Sequence, residues 1–318
     1  MTLTICILIN LVKDNSVNSK DIDYVITIAE EKSISRAAQK LYVTSSALSQ
    51  MLVKIEQDVG AKLFNRNKSG LEITPAGQIF IDNGREILEI EKKTYSMISD
   101  ITNQQSRTIS LGFTPGRGPA MLVDVYPEFH KKYPSCILDP RELRVSIQQE
   151  QIHDGSLDLG FMTLTDDQKT NDEYIDLFPE ELMLALPHGY PLQLISSPIG
   201  DDPYPTADLY LLREEPFILM YKPSTIRTII DPLFNEAGFV PNVLFETSSN
   251  QTIIEMIRGR MCCGIIPYHY VKRNPAGIDY YHLPSRPTWK VCASYRRNSY
   301  LSKPEKALIK LVQDYWEH

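Results

Sequence analysis

The residues with a spacing suited to chemistry are short polar groups on a helical period. Ser45, Ser46, Ser49, Gln50 and Lys54 share one side of a pattern running over 45–59. Ala47, Leu48, Met51, Leu52, Ile55 and Val59 recur at three- and four-residue steps on the other side. Hydroxyl and amide groups at the N-terminal end of a helix, with a cation further along, are what a major groove requires of a reading helix. The same pattern also suits an ordinary helical pair with a solvated face. Catalytic signatures are missing: there is no Gly-x-Ser-x-Gly, no Walker A motif and no His-Glu-x-x-His. Gly116 and Gly118 lack the third glycine of a dinucleotide fingerprint, and the six histidines show no metal-ligand spacing. The five cysteines are odd in number without a Cys-x-x-Cys pair, so neither a disulfide framework nor a zinc site is signalled. Cys262 and Cys263 lie in an apolar run and read as buried strand residues, with redox sensing as the alternative. No cofactor or metal is expected.

The elements around the reading helix are short. Ser35 is expected to cap a preceding helix whose inner face is Ala37, Ala38 and Leu41. The small alanines let two helices cross closely. Tyr42, Val43 and Thr44 form the turn, and Thr44 or Ser45 caps the second helix. An earlier helix over 21–31 turns Ile22, Val25, Ile26 and Ala29 inward. Residues 63–74 read as a two-stranded wing with a basic tip at Arg66 and Lys68, and Pro75 opens a long helix to about residue 103. The chain has a net charge of −7, against a general nucleic-acid coat. From Lys32 to Lys68, however, seven cations face two carboxylates, a local +5 that can meet phosphates in a salt-sensitive way.

This run resembles the winged helix-turn-helix of the LysR-type transcriptional regulators. The resemblance rests on AEEKSISRAAQKL at 29–41, ALS at 47–49, Ile55-Glu56, Gly60, LFNR at 63–66 and LEITPAG at 71–77. It implies a DNA-binding domain over 20–77, with Ser35, Arg36, Thr44, Ser45, Ser46, Ser49, Gln50, Lys54, Arg66 and Lys68 as contact residues. Arg66 and Lys68 are expected to grip phosphate. The family often has Gln-Pro at the start of the reading helix and Arg beside its serine. Ser45, Ser46 and Gln50 stand there in this chain, so base preference does not carry over. Residues 78–104 correspond to the family's linker helix. Phe80, Ile87, Thr94 and Ile101 recur every seven residues with Asn83, Ile90 and Met97 between them, a passable coiled-coil seam. The resemblance implies a homodimer or homotetramer on double-stranded DNA carrying an imperfect inverted repeat.

After a polar hinge at 103–107 the signal becomes alternating strand and helix. Strands are expected at 108–113, 136–143, 157–162, 181–187, 216–220, 242–246, 262–266, 278–283 and 291–295. Helices are expected at 119–132, 146–153, 225–237, 250–258 and 303–315. Alternation argues for a parallel sheet. The fold class is therefore α/β, with an N-terminal winged helix-turn-helix, a long linker helix and a two-subdomain, periplasmic-binding-protein-like effector domain over 107–318. Its first subdomain is expected at about 107–186 and 270–318, and its second at 187–269. Residues 201–206 look like an inserted loop without an assigned role.

Ligands of open α/β sheets sit where strands end and helices begin. Three segments fit: 114–118, Ser224-Thr225 and 247–250. Through the family resemblance the effector-binding candidates are Thr114, Pro115, Gly116, Arg117, Arg144, Thr163, Ser224, Thr225, Thr247 and Ser248. Arg117 and Arg144 are suited to pair with a carboxylate, which points to an anionic small-molecule effector. Turn and capping chemistry would equally place Ser, Thr and Gly at these positions.

Residues 1–19 do not match the family. The run 3–12 is apolar but too short to span a bilayer, and it lacks a basic start and a small-residue cleavage site. The native start is expected further along, with Val17 a candidate. The expected protein is a cytoplasmic, non-enzymatic DNA-binding regulator with no membrane partner. The alternative is a small-molecule-binding protein or α/β enzyme carrying a non-functional helix-turn-helix.

Overall fold

The computed structural model describes residues 17–67, 70–102, 107–191, 194–196, 202–222, 224–273 and 276–317. The expectations for residues 1–16 and for Lys68 lie outside them. The described residues form two compact units, divided between Ile98 and Ser99.

The first unit begins with helix α1 (Ser19–Glu31). Asn18 caps it: the Asp21 N–H donates to the Asn18 side chain at 3.0 Å, and the Asn18 N–H donates back to the Asp21 carboxylate at 3.2 Å. Helix α2 (Ile34–Lys40) is capped by Ser33 and not by the expected Ser35, which lies within its first turn. Only a residue with extended backbone just outside the helix can offer its oxygen back to the first turn, and Ser33 has that geometry. Helix α3 (Ser45–Val59) is capped by Thr44, whose hydroxyl accepts from the Ala47 N–H at 3.2 Å. Ala37 and Ala38 are fully buried where α2 meets its neighbours. Leu48, Leu52 and Ile55 fill the core from α3, while Val59 is exposed.

Strands β1 (Phe64–Asn67) and β2 (Gly70–Ile73) pair antiparallel as the wing. Glu56 fastens α3 to it. This buried carboxylate accepts the Leu63 N–H at 2.9 Å and the Phe64 N–H at 3.3 Å, with the Lys62 ammonium at 2.6 Å. Helix α4 (Pro75–Thr102) follows, capped by Thr74 through the Gly77 N–H at 2.9 Å. Gly77 is required here, because a Cβ would sit 2.1 Å from the Leu63 carbonyl oxygen. Of the proposed seam, Ile87, Ile90, Met97 and Ile101 are exposed, and Phe80 is partly buried.

The second unit starts with β3 (Arg107–Phe113), α5 (Gly118–Lys132), β4 (Cys136–Glu142), α6 (Val145–Asp154) and β5 (Leu159–Leu164). Here strands alternate with helices, and β3 pairs parallel with both β4 and β5. The expected all-parallel sheet ends there. The link from β5 to β6 (Glu173–Pro187) holds a single 3-10 turn at Asp166–Gln168 and no crossover helix. β6 runs in the same direction as β5 but is not its neighbour in the sheet. It pairs antiparallel with β11 (Gly264–Pro267), β12 (Ile278–Tyr281) and β13 (Thr288–Tyr295). The result is a mixed seven-stranded sheet ordered β11-β6-β13-β5-β3-β4, with β12 also on β6.

Strand β6 begins eight residues before the expected position. Glu173, Asp176, Glu180 and Pro179 conceal it, because its first half is only partly covered. The strand serves two cores. Leu177 packs with Ile109, Leu111 and Phe129. Leu182, Leu184 and Leu186 pack with Phe217, Leu219 and Phe234. Tyr281, Leu283 and Trp289 join the second core, although the expected boundary put them with the first subdomain.

The second core also takes β9 (Pro216–Met220), which pairs parallel with β10 (Asn242–Thr247), and helix α7 (Thr225–Glu236). Helices α8 (Asn250–Arg258) and α9 (Tyr268–Arg273) flank β11, and α10 (Lys303–Glu317) ends the chain. Two short strands, β7 (Leu194–Ser196) and β8 (Thr206–Ala207), pair antiparallel. In the inserted loop, the Asp202 carboxylate lies 2.9 Å from His282 Nε2 and 3.2 Å from Arg286, so the segment is tied to the core.

Truncating Glu56 leaves two buried N–H donors without their acceptor. Glu56→Ala is expected to cost about 2 kcal/mol, read as faster hydrogen exchange at the amides of Leu63 and Phe64, with Glu56→Gln losing less.

Candidate DNA-reading surface and effector cleft

In the first unit, a groove of about 820 Å³ runs between α2, α3 and the wing. Ser35, Arg36, Ser45, Ser46, Ser49 and Arg66 line it, six of the predicted contact residues. Ser45, Ser46, Gln50 and Lys54 are exposed on α3, and Ser49 is half-buried. Among the described residues, Ser45, Gln50 and Lys54 make no hydrogen bond or ion pair, so their polar groups are open to a partner. Thr44 is occupied by its cap and by a 3.1 Å contact with Ser46 Oγ. Arg66 reaches Ser49 Oγ at 3.5 Å.

The basic count is partly neutralised. Arg36 bonds the Glu31 carbonyl and lies 3.5 Å from its carboxylate. Lys40 pairs with Glu30 and Glu31, and Lys62 pairs with Glu56. Glu30 and Glu31 stand just before the basic stretch in sequence, and folding brings them onto it. The cations left to meet phosphate are therefore fewer than the count suggests, with Lys54 and Arg66 foremost.

In the second unit, a cleft of about 330 Å³ lies between the two cores. Of the effector-binding candidates, Thr114, Pro115, Arg117, Arg144, Thr163, Ser224, Thr225 and Ser248 line it. Gly116 and Thr247 do not. Gly116 has φ +83°, and its carbonyl takes the Tyr270 hydroxyl at 3.4 Å. The Thr247 hydroxyl accepts the Ser249 N–H at 3.2 Å. Both are turn residues that shape the wall. Gln149, Gln168, Tyr221, Asn250 and Trp289 line the cleft without having been singled out. Long amides and aromatics give no sequence signal of a site when the fold alone brings them together.

The N-termini of α5, α6 and α7 border the cleft through Arg117, Arg144 and Ser224, and none of these three makes a side-chain cap bond. At α5 the first turn is largely spent, since the Gly118 N–H donates to the Thr114 carbonyl at 3.1 Å and Pro119 has no N–H, so the first turns of α6 and α7 offer the N–H groups that favour an anion. Arg144 is exposed and stacks over the Tyr221 ring at 5.0 Å, from one side of the cleft to the other. Asn250 is buried, and its Oδ1 lacks a partner.

Arg117 departs from its expected role. Its two terminal nitrogens donate to Glu180 at 2.6 and 2.8 Å, and both side chains are buried. Glu180 also accepts from Trp289 Nε1 at 2.6 Å and from the His269 N–H at 2.8 Å. Burial opposes both charges. Their mutual attraction and hydrogen bonds outweigh it, holding Glu180 below the usual carboxylate range and raising Arg117. A guanidinium held this way is a structural strut facing the cleft, which leaves Arg144 as the cation available to a ligand carboxylate.

The described cysteines, Cys136, Cys262, Cys263 and Cys292, are unpaired and buried. Burial pushes their thiols up to between about 11 and about 12, so they are neither thiolates nor ready nucleophiles. No cluster of metal-ligating residues occurs among the described residues. No helix there is long and apolar enough to cross a membrane.

His269 generates a pH dependence. Burial, reinforced by Arg117 and Arg273, lowers its imidazole to about 4 from 6.5. The folded value lies below the unfolded one, so this contribution is fully present above pH 6.5 and is lost as pH falls towards 4. Thermal melts should show a loss on the order of 2 kcal/mol across that window. His269→Gln should flatten it.

Residues 102–317 match the LysR substrate binding domain, and residues 19–78 match the bacterial regulatory helix-turn-helix protein of the lysR family. The transcriptional regulator AlsR of Bacillus subtilis is 28% identical over 250 residues, covering 78% of this chain and 80% of AlsR. Among solved structures, a cysteine-substituted full-length OxyR of Pseudomonas aeruginosa superposes with a TM-score of 0.68 at 21% identity, over 94% of both chains. Full-length CbnR in complex with its target DNA gives 0.53 at 19% identity, over 94% of this chain and 99% of CbnR. With two thirds of its length matched by the effector-domain family and its head by the helix-turn-helix family, this chain belongs to the LysR family of bacterial transcriptional regulators.

Proposed function

We propose that the regulator reads its operator through the N-terminal half of α3 and is tuned by a small anion in the cleft of the second unit. The observation that carries the DNA reading is the row of exposed, uncommitted polar groups on α3, Ser45 and Gln50 with Lys54 further along, beside the wing residue Arg66. Ser46, Ser49 and Gln50 contact base edges. Ser35, Arg36, Lys54 and Arg66 meet the backbone, and Lys68 is expected to join them. Thr44 acts through its cap.

In the cleft, the uncapped N-termini of α6 and α7 and the cation of Arg144 favour a carboxylate or similar anion. The hydroxyls of Thr114, Thr163, Ser224, Thr225 and Ser248 orient it. The unpartnered Asn250 Oδ1 favours an effector that also carries a hydrogen-bond donor. Effector binding shifts the balance between two arrangements of the subdomains, and so the spacing of the DNA heads. The protein acts in the cytoplasm and has no catalytic role.

Pairing runs through α4, where Ile87, Ile90, Met97 and Ile101 expose an apolar seam. Two paired heads meet successive major-groove faces, so the operator is an imperfect inverted repeat. Ile90→Glu should lower the molecular mass in sedimentation equilibrium. An unchanged assembly would move the interface elsewhere.

A gel-shift titration on the DNA upstream of its own gene, with unrelated competitor and varied salt, tests the DNA reading. Ser49→Ala with Gln50→Ala should weaken specific binding by roughly 10- to 100-fold and leave non-specific binding nearly unchanged. Arg66→Ala should weaken both and reduce the salt slope by about 1. Equal losses on specific and non-specific DNA for the α3 variant would remove the base-reading role.

A further inference from the structure

Helix α10 is anchored differently at its two ends. At the N-terminal end it is held by α4. Asp100, in the last turn of α4, is only 6% exposed. Its carboxylate accepts the Lys303 N–H at 2.9 and 3.2 Å and the Tyr300 hydroxyl at 3.0 Å. The Lys303 ammonium returns a bond to the Asp100 carbonyl at 2.7 Å. Lys303 is the first residue of α10, so its N–H is one the helix itself cannot satisfy. Asp100 therefore caps α10 from another helix, with negative charge at the positive end of the dipole. Glu305 reinforces the start, accepting the Ser302 N–H and hydroxyl at 2.7 Å each, with Arg107 at 3.2 Å.

At the C-terminal end α10 is held by the cleft floor. The buried Trp316 ring lies 4.4 Å from the Arg117 guanidinium and 4.7 Å from the His269 ring. Arg117 lines the cleft and is locked to Glu180 on β6, the strand that serves both cores. Between the ends, Leu308, Ile309 and Val312 are buried against the first core, so the helix is supported along its length. Its fifteen residues span about 22 Å at 1.5 Å per residue.

We infer that α10 is the connecting rod between effector cleft and linker helix, and that Asp100 is the positioning residue through which the linker receives its motion. Closure of the cleft shifts Arg117 against Glu180 and displaces Trp316. The rod carries that displacement to Lys303 and Tyr300, and Asp100 passes it to α4, one unbroken helix from Pro75 to Thr102. The inference rests on the reading of the cleft as the effector site.

The test uses the full-length protein without DNA or effector, so its outcome is separate from that of the gel shift. Hydrogen exchange by mass spectrometry compares wild type, Trp316→Leu, Asp100→Ala and the double variant, normalised to the amides of β3 and β4 in the same core. Coupling predicts that Trp316→Leu speeds exchange at residues 100–102 and Lys303 by about tenfold, and adds nothing once Asp100→Ala is present. If Trp316→Leu does not fold, Trp316→Phe is read in the same way, with a smaller effect of the same pattern. Acceleration confined to cleft peptides, or equal increments in both Asp100 backgrounds, would overturn the inference.

Discussion

Much of the second unit turns on one ion pair. Arg117 and Glu180 are both buried, and neither charge could remain there alone. Removing one partner of such a pair typically costs about 3–5 kcal/mol, because the other is left charged and dry. Glu180 takes two further donors, Trp289 Nε1 and the His269 N–H, and Arg117 lies among Trp316, Trp289 and Tyr270. The pair joins the start of α5 to β6, β13 and the start of α9. One interaction therefore sets the floor of the cleft, the entry to α5 and the seat of the C-terminal helix. Gly118 belongs to the same arrangement, since a Cβ there would lie 1.9 Å from the Phe113 ring.

The first unit uses a carboxylate in a related way. Glu56 sits on the buried side of α3 and satisfies the first N–H groups of the wing, so the reading helix and the wing are fixed as one body. The exposed side of the same helix is left chemically open. A surface that reads DNA must be rigid in backbone and unsatisfied in side chain, and α3 meets both conditions because its inner face carries the constraint. The acidic pair Glu30 and Glu31 engages Arg36 and Lys40 and leaves the basic surface with fewer free cations.

The sites were legible to different depths. On α3, helical period alone sorts Ser45, Ser46, Ser49 and Gln50 from Leu48, Leu52 and Ile55, because neighbours on a helix face are close in sequence. The cleft was legible only at positions where strands end and helices begin. Thr114, Ser224 and Ser248 announce such junctions, whereas Tyr221 and Trp289 do not. Arg117 was recognised as part of the cleft, but its carboxylate partner was sought in a ligand when it lay 63 positions away on β6. The antiparallel strand β13 between β5 and β6 was missed for a related reason. The expectation came from strand–helix alternation, and the segment between β5 and β6 breaks that alternation with a single short turn.

What the sequence alone determined is local: the helix-turn-helix and its wing, the long helix, the alternation from β3 to β5, and the polar face of α3. These follow from periodicity, caps and turn residues acting over a few positions. Tertiary structure decided what depends on distant residues meeting. It set the antiparallel β13 between β5 and β6, made β6 common to two cores, turned Arg117 into a strut, placed Glu30 and Glu31 on the basic surface, and set Asp100 as the cap of α10. Such pairings arise from burial, where a polar group must find a partner or bear the cost of desolvation, and sequence distance does not constrain which partner is within reach.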